Sequence, residues 1–465
     1  MVFYLIRKSN NYVHRLNSFQ LVQGVFFAIC ITFIGMQYLC MQVFLKDKMP
    51  APITTRLDQN RPLTIDLRSY EVCHPNEFYL ENLTLKYREI FPNEDDVCFL
   101  IEDLNGGSWW TYISQEFAEI LGQLKNLSQQ SNINYRSFSI DKDIDSNFNL
   151  TQTFLNTCQI NDRSPRQEQK LMIILLWNID RRPWTQYRSQ WLYLQESTRM
   201  RLLVFIDDLH YENAYVYQSR QFLFEFIATE IFSTYPYLFH NYYSNISHEK
   251  ITWLPHAASI SSYRSVNRSS EDRLFVSGVN MHDWYPCRFR AFQLCRTRPD
   301  LAACLQHPGY SLVTPNPKLF HYGAQQYSIY MRQFTFGLAT CQSVQYAIGK
   351  LFELPANGLV LVTTNDLVPI LEKLHLNNNT HFRTIKCFKK SLPDEIRYLK
   401  NLSKAELFSI RKSSQDIIFQ RHLTIHRAQL LHIRLLAQAL LASSPSANES
   451  TQWRIRGKMC HALSF

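Results

Sequence analysis

The stretch from Phe334 to Thr364 constrains the fold of this chain more than any other. An apolar run, FTFGLAT, is followed by a helical VQYAIGKLFEL, a Pro-Ala-Asn-Gly turn and a second apolar run, LVLVTT. Continuous apolar strands that alternate with a helix and end in polar loops predict a parallel α/β unit covered on both faces. Asn357-Gly358 supplies the left-handed stop of the helix, and Pro355 limits how far it runs. Lys350 and Glu353 stand three apart and share a helix face, which the strand ends place near the crevice where open α/β sheets bind ligands. A carboxylate there accepts from two vicinal ribose hydroxyls, and an ammonium beside it meets a phosphate. An ordinary i,i+3 surface salt bridge explains the same pair.

The rest of the chain repeats the pattern. VCFLIED (Val97 to Asp103), LMIILLWNID (Leu171 to Asp180) and RLLVFIDDLH (Arg201 to His210) read as buried strands entering polar loops. After the first, a Gly106-Gly107 turn leads into a helix with apolar positions at Phe117, Ile120, Leu121 and Leu124. RLFVSGVN opens a second half, with Arg288 and Arg290 at the start of its first helix. Strands separated by helices predict doubly wound parallel sheets. At 465 residues, two domains of ordinary size are expected.

Charge and cysteine usage narrow the function classes. The net charge of +10 invites nucleic acid. No dense Lys/Arg tract, finger spacing or RNA-binding aromatic motif accompanies it, so no nucleic-acid partner is expected. A basic cleft for anionic nucleotides, or a solvated basic surface, accounts for the excess. Eleven cysteines include no C-x-x-C pair. For Cys287, Cys295 and Cys304, structural disulfides or buried thiols are expected ahead of a metal site.

Residues Leu21 to Leu45 are mostly apolar and long enough to span a bilayer. The run exceeds a signal-peptide core, and no small-x-small cleavage site follows it. Arg7, Lys8 and Arg15 precede it with no acidic residue, which predicts a cytoplasmic N-terminus and a single-pass type II topology. Asn82, Asn126, Asn149, Asn245, Asn267, Asn378, Asn401 and Asn448 head N-x-Ser/Thr sequons, all beyond the apolar run, as a lumenal domain requires.

Three short pieces, WLPHAA, HPGY and KLFELPANG, in that order and spacing, resemble glycosyltransferases of the GT-B fold related to families 1 and 4. The resemblance covers roughly residues 250–370. It implies two Rossmann-like domains, which the apolar run at 21–45 places behind an N-terminal transmembrane helix. The expected divisions are a tail (1–20), a signal anchor (21–45), a stem (46–68), an acceptor-side domain (69–260) and a nucleotide-sugar-binding domain (261–400). Helices at 401–465 would pack back on the first domain, ahead of a flexible tail. Glu353 would hold the donor ribose, while Lys350 and Arg288 neutralise its diphosphate. His256, in WLPHAAS, would lie at the interdomain cleft, and Asp208 or His210 would orient or deprotonate the acceptor hydroxyl.

For each of these residues an ordinary structural role stands beside the functional one. Arg288 serves equally as a solvent-facing arginine, His256 as a satisfied loop histidine, and the Asp207-Asp208 pair as a helix cap. That pair could instead hold a divalent metal, as in metal-dependent GT-A enzymes. The resemblance implies no bound metal or other cofactor, with Mn²⁺ not required.

One departure is evident. The second glutamate of an eight-residue pair in family 4 is matched by Glu353, whereas the first is replaced by Gln345. The implied activity is transfer of a sugar from a nucleotide-sugar donor to a hydroxyl of a glycan, protein or lipid, in the lumen of the Golgi or endoplasmic reticulum. Alternatives are a fucosyltransferase-like or GT-A enzyme, or an inactive glycan-binding or scaffolding protein on the same fold.

Overall fold

The computed structural model describes residues 77–443, apart from 94–95, 104–110, 141–147, 161–169, 178–183, 208, 210–213, 236–238, 263–264, 267–269, 279, 307–326, 342–345 and 389. The apolar run at 21–45, the Gly106-Gly107 turn, Asp208, His210, the HPGY loop and Gln345 lie outside the described residues. Among the described residues no helix is long and apolar enough to cross a membrane.

Two parallel sheets carry the chain. The first holds six strands, β1 (Val97–Glu102), β2 (Tyr135–Phe138), β3 (Leu171–Leu176), β4 (Arg199–Ile206), β5 (Ala228–Ser233) and β6 (Ile251–Trp253), in the order β2-β1-β3-β4-β5-β6. The second holds β7 (Glu271–Gly278), β8 (Ala302–Gln306), β9 (Phe334–Leu338), β10 (Val360–Thr363) and β11 (Phe382–Thr384), in the order β11-β10-β9-β7-β8. Both are all-parallel sheets, as the sequence predicts.

Alternation of side chains fixes which helix covers which face. In β1, Cys98 and Leu100 join one apolar cluster, while Val97, Phe99 and Ile101 join another. The helices are α1 (Glu77–Ile90), α2 (Thr111–Gln130), α3 (Leu150–Thr157), α4 (Arg188–Ser197) and α5 (Ala214–Phe222) in the first half. Phe117, Ile120, Leu121 and Leu124 of α2 cover the Val97 face, and Trp191 and Leu194 of α4 cover the other. The second half adds α6 (Pro286–Thr297), α7 (Lys350–Ala356), α8 (Val368–Lys373), α9 (Leu392–Lys400), α10 (Lys404–Arg421) and α11 (Thr424–Ser443).

In β7 and β10, Leu274, Val276, Val360 and Val362 pack with α6, while Phe275 and Leu361 pack with α7. The helices that follow the neighbouring strands β7 and β9 therefore lie on opposite faces. That is a topological switch point, and it opens a crevice at the strand ends.

The helix in the opening motif is shorter than its sequence suggests. Tyr346 to Ile348 are not helical, and α7 begins at Lys350. Pro355 lies inside its last turn instead of ending it. A proline that near the end forfeits one backbone bond in a seven-residue helix. The stop comes from Gly358, at φ +76°, with Leu359 N–H bonded to Leu354 O.

Two crossings join the halves, and they bond to each other. The first is Leu254 to Ser259 after β6; the second lies between α10 and α11. Ala258 N–H donates to His422 O at 2.8 Å, and Thr424 N–H donates to Ala258 O at 3.0 Å. Helix α11 then lies against α1 and α2 and buries Leu430, Leu431, Leu435 and Leu436 in the first half's core.

Cys98 pairs with Cys158, Cys287 with Cys387, and Cys295 with Cys304, so the clustered cysteines form disulfides. Of the six sequon asparagines among the described residues, Asn378 is half-buried and the other five are exposed.

Candidate functional site

Two charged clusters form at the strand ends of the two halves. In the second half, Pro286 starts α6 and sets Arg288 in its first turn, behind the end of β7. The guanidinium is buried, donates to Thr340 O at 3.1 Å beyond β9, and lies 3.9 Å over the ring of Tyr285. Gly278, the last residue of β7, has φ +109°, and a Cβ there would meet Arg288 Nη1 at 2.9 Å. Only glycine leaves the guanidinium that space.

Lys350 and Glu353 stand in the first turn of α7, which follows β9 at the same switch point. The Lys350 amine sits 5.7 Å over the ring of Tyr327. Burial pulls its pKa down to about 8, Glu353 opposes the shift, and Arg288 adds to it. Lys350 thus stands within electrostatic reach of both Arg288 and Glu353, gathered from two helices at the switch point. The Oγ1 atoms of Thr340 and Thr363, also at the ends of β9 and β10, are buried and find no hydrogen-bond partner among the described residues. A cation pair, a carboxylate and hydroxyls can bind an anionic, polyhydroxylated ligand.

The first half presents an imidazole between two carboxylates. His256 Nδ1 meets Glu116 Oε2 of α2 at 3.0 Å, and Nε2 meets Asp207 Oδ1, beyond β4, at 3.3 Å. Ala257 N–H donates to Glu116 Oε1 at 2.6 Å, and the Thr234 hydroxyl donates to Asp207 O at 2.8 Å. Burial opposes a charge on His256, but Glu116 and Asp207 more than offset it and hold its pKa well above the ordinary histidine value. With both ring nitrogens engaged by carboxylates, His256 can orient its partners but has no nitrogen free to act as a base or to donate elsewhere. From beneath, Arg427 of α11 donates to Pro255 O at 2.8 Å and His256 O at 3.0 Å, which fixes the crossing segment.

The structure therefore brings Arg288, Lys350 and Glu353 together and sets His256 in the other cluster. Asp208 and His210 fall outside the described residues. Sequence reasoning missed Glu116, Arg427, Tyr346 and Tyr235. Glu116 sits on the rim of an amphipathic helix, 140 positions from its partner, and nothing local marks it. Arg427 was hidden in a mostly apolar helix, where one arginine reads as a solvent-facing residue. Among the described residues no group of three or more His, Cys, Asp or Glu is arranged to hold a metal ion.

No family model matches the chain, and no curated protein matches it. Several solved structures are similar to this chain at low sequence identity. A glycosyltransferase from Rickettsia africae has a TM-score of 0.44 at 13% identity, covering 74% of this chain and 99% of that one. Anabaena Alr3699/HepE in complex with UDP-glucose has a TM-score of 0.46 at 10% identity, with 74% and 99% covered. Sucrose-phosphate synthase from Thermosynechococcus elongatus has a TM-score of 0.46 at 11% identity, with 75% and 100% covered.

Proposed function

We propose that this chain is a glycosyltransferase whose second half binds a nucleotide-sugar donor and whose first half presents an acceptor hydroxyl of a glycan, protein or lipid. The observation that carries the reading is the gathering of Arg288, Lys350 and Glu353 at the switch point between β7 and β9. There, Arg288 and Lys350 take the diphosphate and stabilise the charge it gains as a leaving group. Glu353 accepts from the ribose hydroxyls. His256, held between Glu116 and Asp207, orients both carboxylates on the opposite wall, where Asp207 can accept from a hydroxyl of the sugar or acceptor. Asp208 and His210 remain candidates for orienting or deprotonating the acceptor, and the transfer needs no bound metal.

The test is a thermal-shift screen of the protein against nucleoside diphosphates and nucleotide sugars, with and without Mn²⁺. A shift selective for one nucleotide, weakened by roughly 1–3 kcal/mol in Glu353→Gln, is expected from the loss of charged hydrogen bonds to buried hydroxyls. No shift from any nucleotide, or one that Glu353→Gln leaves unchanged, would move the weight to a glycan-binding or scaffolding role.

The same reading has a pH signature. Lys350 is charged below a pKa of about 8 and neutral above it, and only the ammonium attracts a diphosphate. Donor affinity should therefore fall as pH rises from about 7 to 9, approaching tenfold per unit beyond the midpoint. In Lys350→Arg, which keeps its charge, the fall should vanish. An identical pH profile in the two proteins would remove Lys350 from the site.

We further propose a lumenal, single-pass type II placement in the Golgi or endoplasmic reticulum, anchored by residues 21–45. Three disulfides support an oxidising compartment, and sequon asparagines that are exposed or half-buried support glycosylation.

A further inference from the structure

We infer that the ring of Tyr346 occupies the place of the transferred sugar in the unliganded protein, so that the glycosyl group of a nucleotide-sugar donor must displace it. The inference rests on the donor-site reading above. Tyr346 precedes α7 and stacks on Tyr235, from beyond β5 of the other half, with ring centroids 4.1 Å apart and planes 21° apart. Its ring also lies 6.3 Å from that of His256.

Its surroundings join the two clusters. Tyr346 is within electrostatic reach of Asp207, which bonds His256, and of Tyr285, whose ring carries the Arg288 guanidinium. Its hydroxyl hydrogen-bonds to Tyr235. A phenol is a six-membered ring with one hydroxyl, close in size to a pyranose. A diphosphate on Arg288 and Lys350 leaves its sugar pointing toward His256, across the space that the phenol fills. Tyr346 is half-buried. Once it leaves, Asp207, His256 and the Tyr235 hydroxyl face the sugar's own hydroxyls.

The arrangement separates the two parts of the donor. A bare nucleoside diphosphate binds without moving Tyr346, whereas a nucleotide sugar must break the stack first. An aromatic pair of this kind lowers apparent sugar-nucleotide affinity by roughly three- to tenfold.

The experiment measures affinities of the full chain, in mild detergent, for UDP, GDP, UDP-glucose, UDP-N-acetylglucosamine and GDP-mannose. In Tyr346→Ala, the matching nucleotide sugar should bind roughly three- to tenfold tighter, while its bare diphosphate stays within about twofold of wild type. Tyr346→Phe, which keeps the ring, should resemble wild type. Tyr235→Val, which removes the ring that Tyr346 leans on, should shift the same way as Tyr346→Ala and serves should that variant not fold. Equal changes for nucleotide and nucleotide sugar, or no change for either, would overturn the inference and leave the donor site standing. Failure of every nucleotide to bind wild type and variants alike would overturn the donor site and the inference with it.

Discussion

Glu230→Ala is expected to lower the unfolding free energy by about 3–5 kcal/mol, the cost of leaving a buried charge without its partner. Glu230 is in β5 and fully buried. Its carboxylate receives Arg434 Nε at 2.6 Å and Gln438 Nε2 at 2.9 Å from α11, and the Thr252 hydroxyl of β6 at 2.7 Å. Removing the carboxylate strands an arginine whose side chain is only 9% exposed. The pair joins α11 to the first sheet, so the loss should also loosen the helix that supports His256 through Arg427. Chemical denaturation of wild type, Glu230→Ala and the double variant Glu230→Ala/Arg434→Met measures it. The double variant should recover most of the loss, because an apolar side chain needs no partner there. A loss below about 1 kcal/mol, the usual worth of an exposed ion pair, would mean that water reaches the pair.

Arg288→Ala is expected to weaken donor binding by about 2–5 kcal/mol, as truncation of one partner in a buried charge pair does. The guanidinium is already held by Thr340 O and by the Tyr285 ring, so the free protein bears the cost of ordering it before the ligand arrives. Arg288→Lys should recover only part of the affinity, since an ammonium cannot form two parallel bonds to a phosphate. Calorimetric titration with the nucleotide identified in the screen reads both variants, and a ligand-free melt separates lost binding from lost fold. Affinity retained in a folded Arg288→Ala protein would place the diphosphate elsewhere.

Much of the scaffold is legible in the chain. Runs such as LMIILL and LVLV are apolar at every position because both faces of a parallel sheet are covered. The second-half site is legible for a related reason. Lys350 and Glu353 are neighbours on one turn of helix, and the strand just before that helix fixes where the turn points. Arg288 is harder, since its pairing with Thr340 O crosses 52 positions, but its place at the head of a helix after a strand is a local signal.

The first-half cluster is legible only in part, since WLPHAAS marks His256 and an acidic pair marks Asp207, but nothing local joins them to Glu116 or Arg427. His256, Glu116 and Asp207 come from a crossing segment, a helix and a strand end, and the Arg427 beneath them comes from the other side of the second half. What the sequence determined by itself is whatever depends on neighbours within a turn or a strand: apolar runs, helix faces, a glycine stop, and the charges at the start of α7. Tertiary structure alone decided the two carboxylates around His256, the lowered pKa of Lys350 and the stack of Tyr346 on Tyr235. Each of these depends on burial and on partners distant in the chain, and a local pattern carries neither.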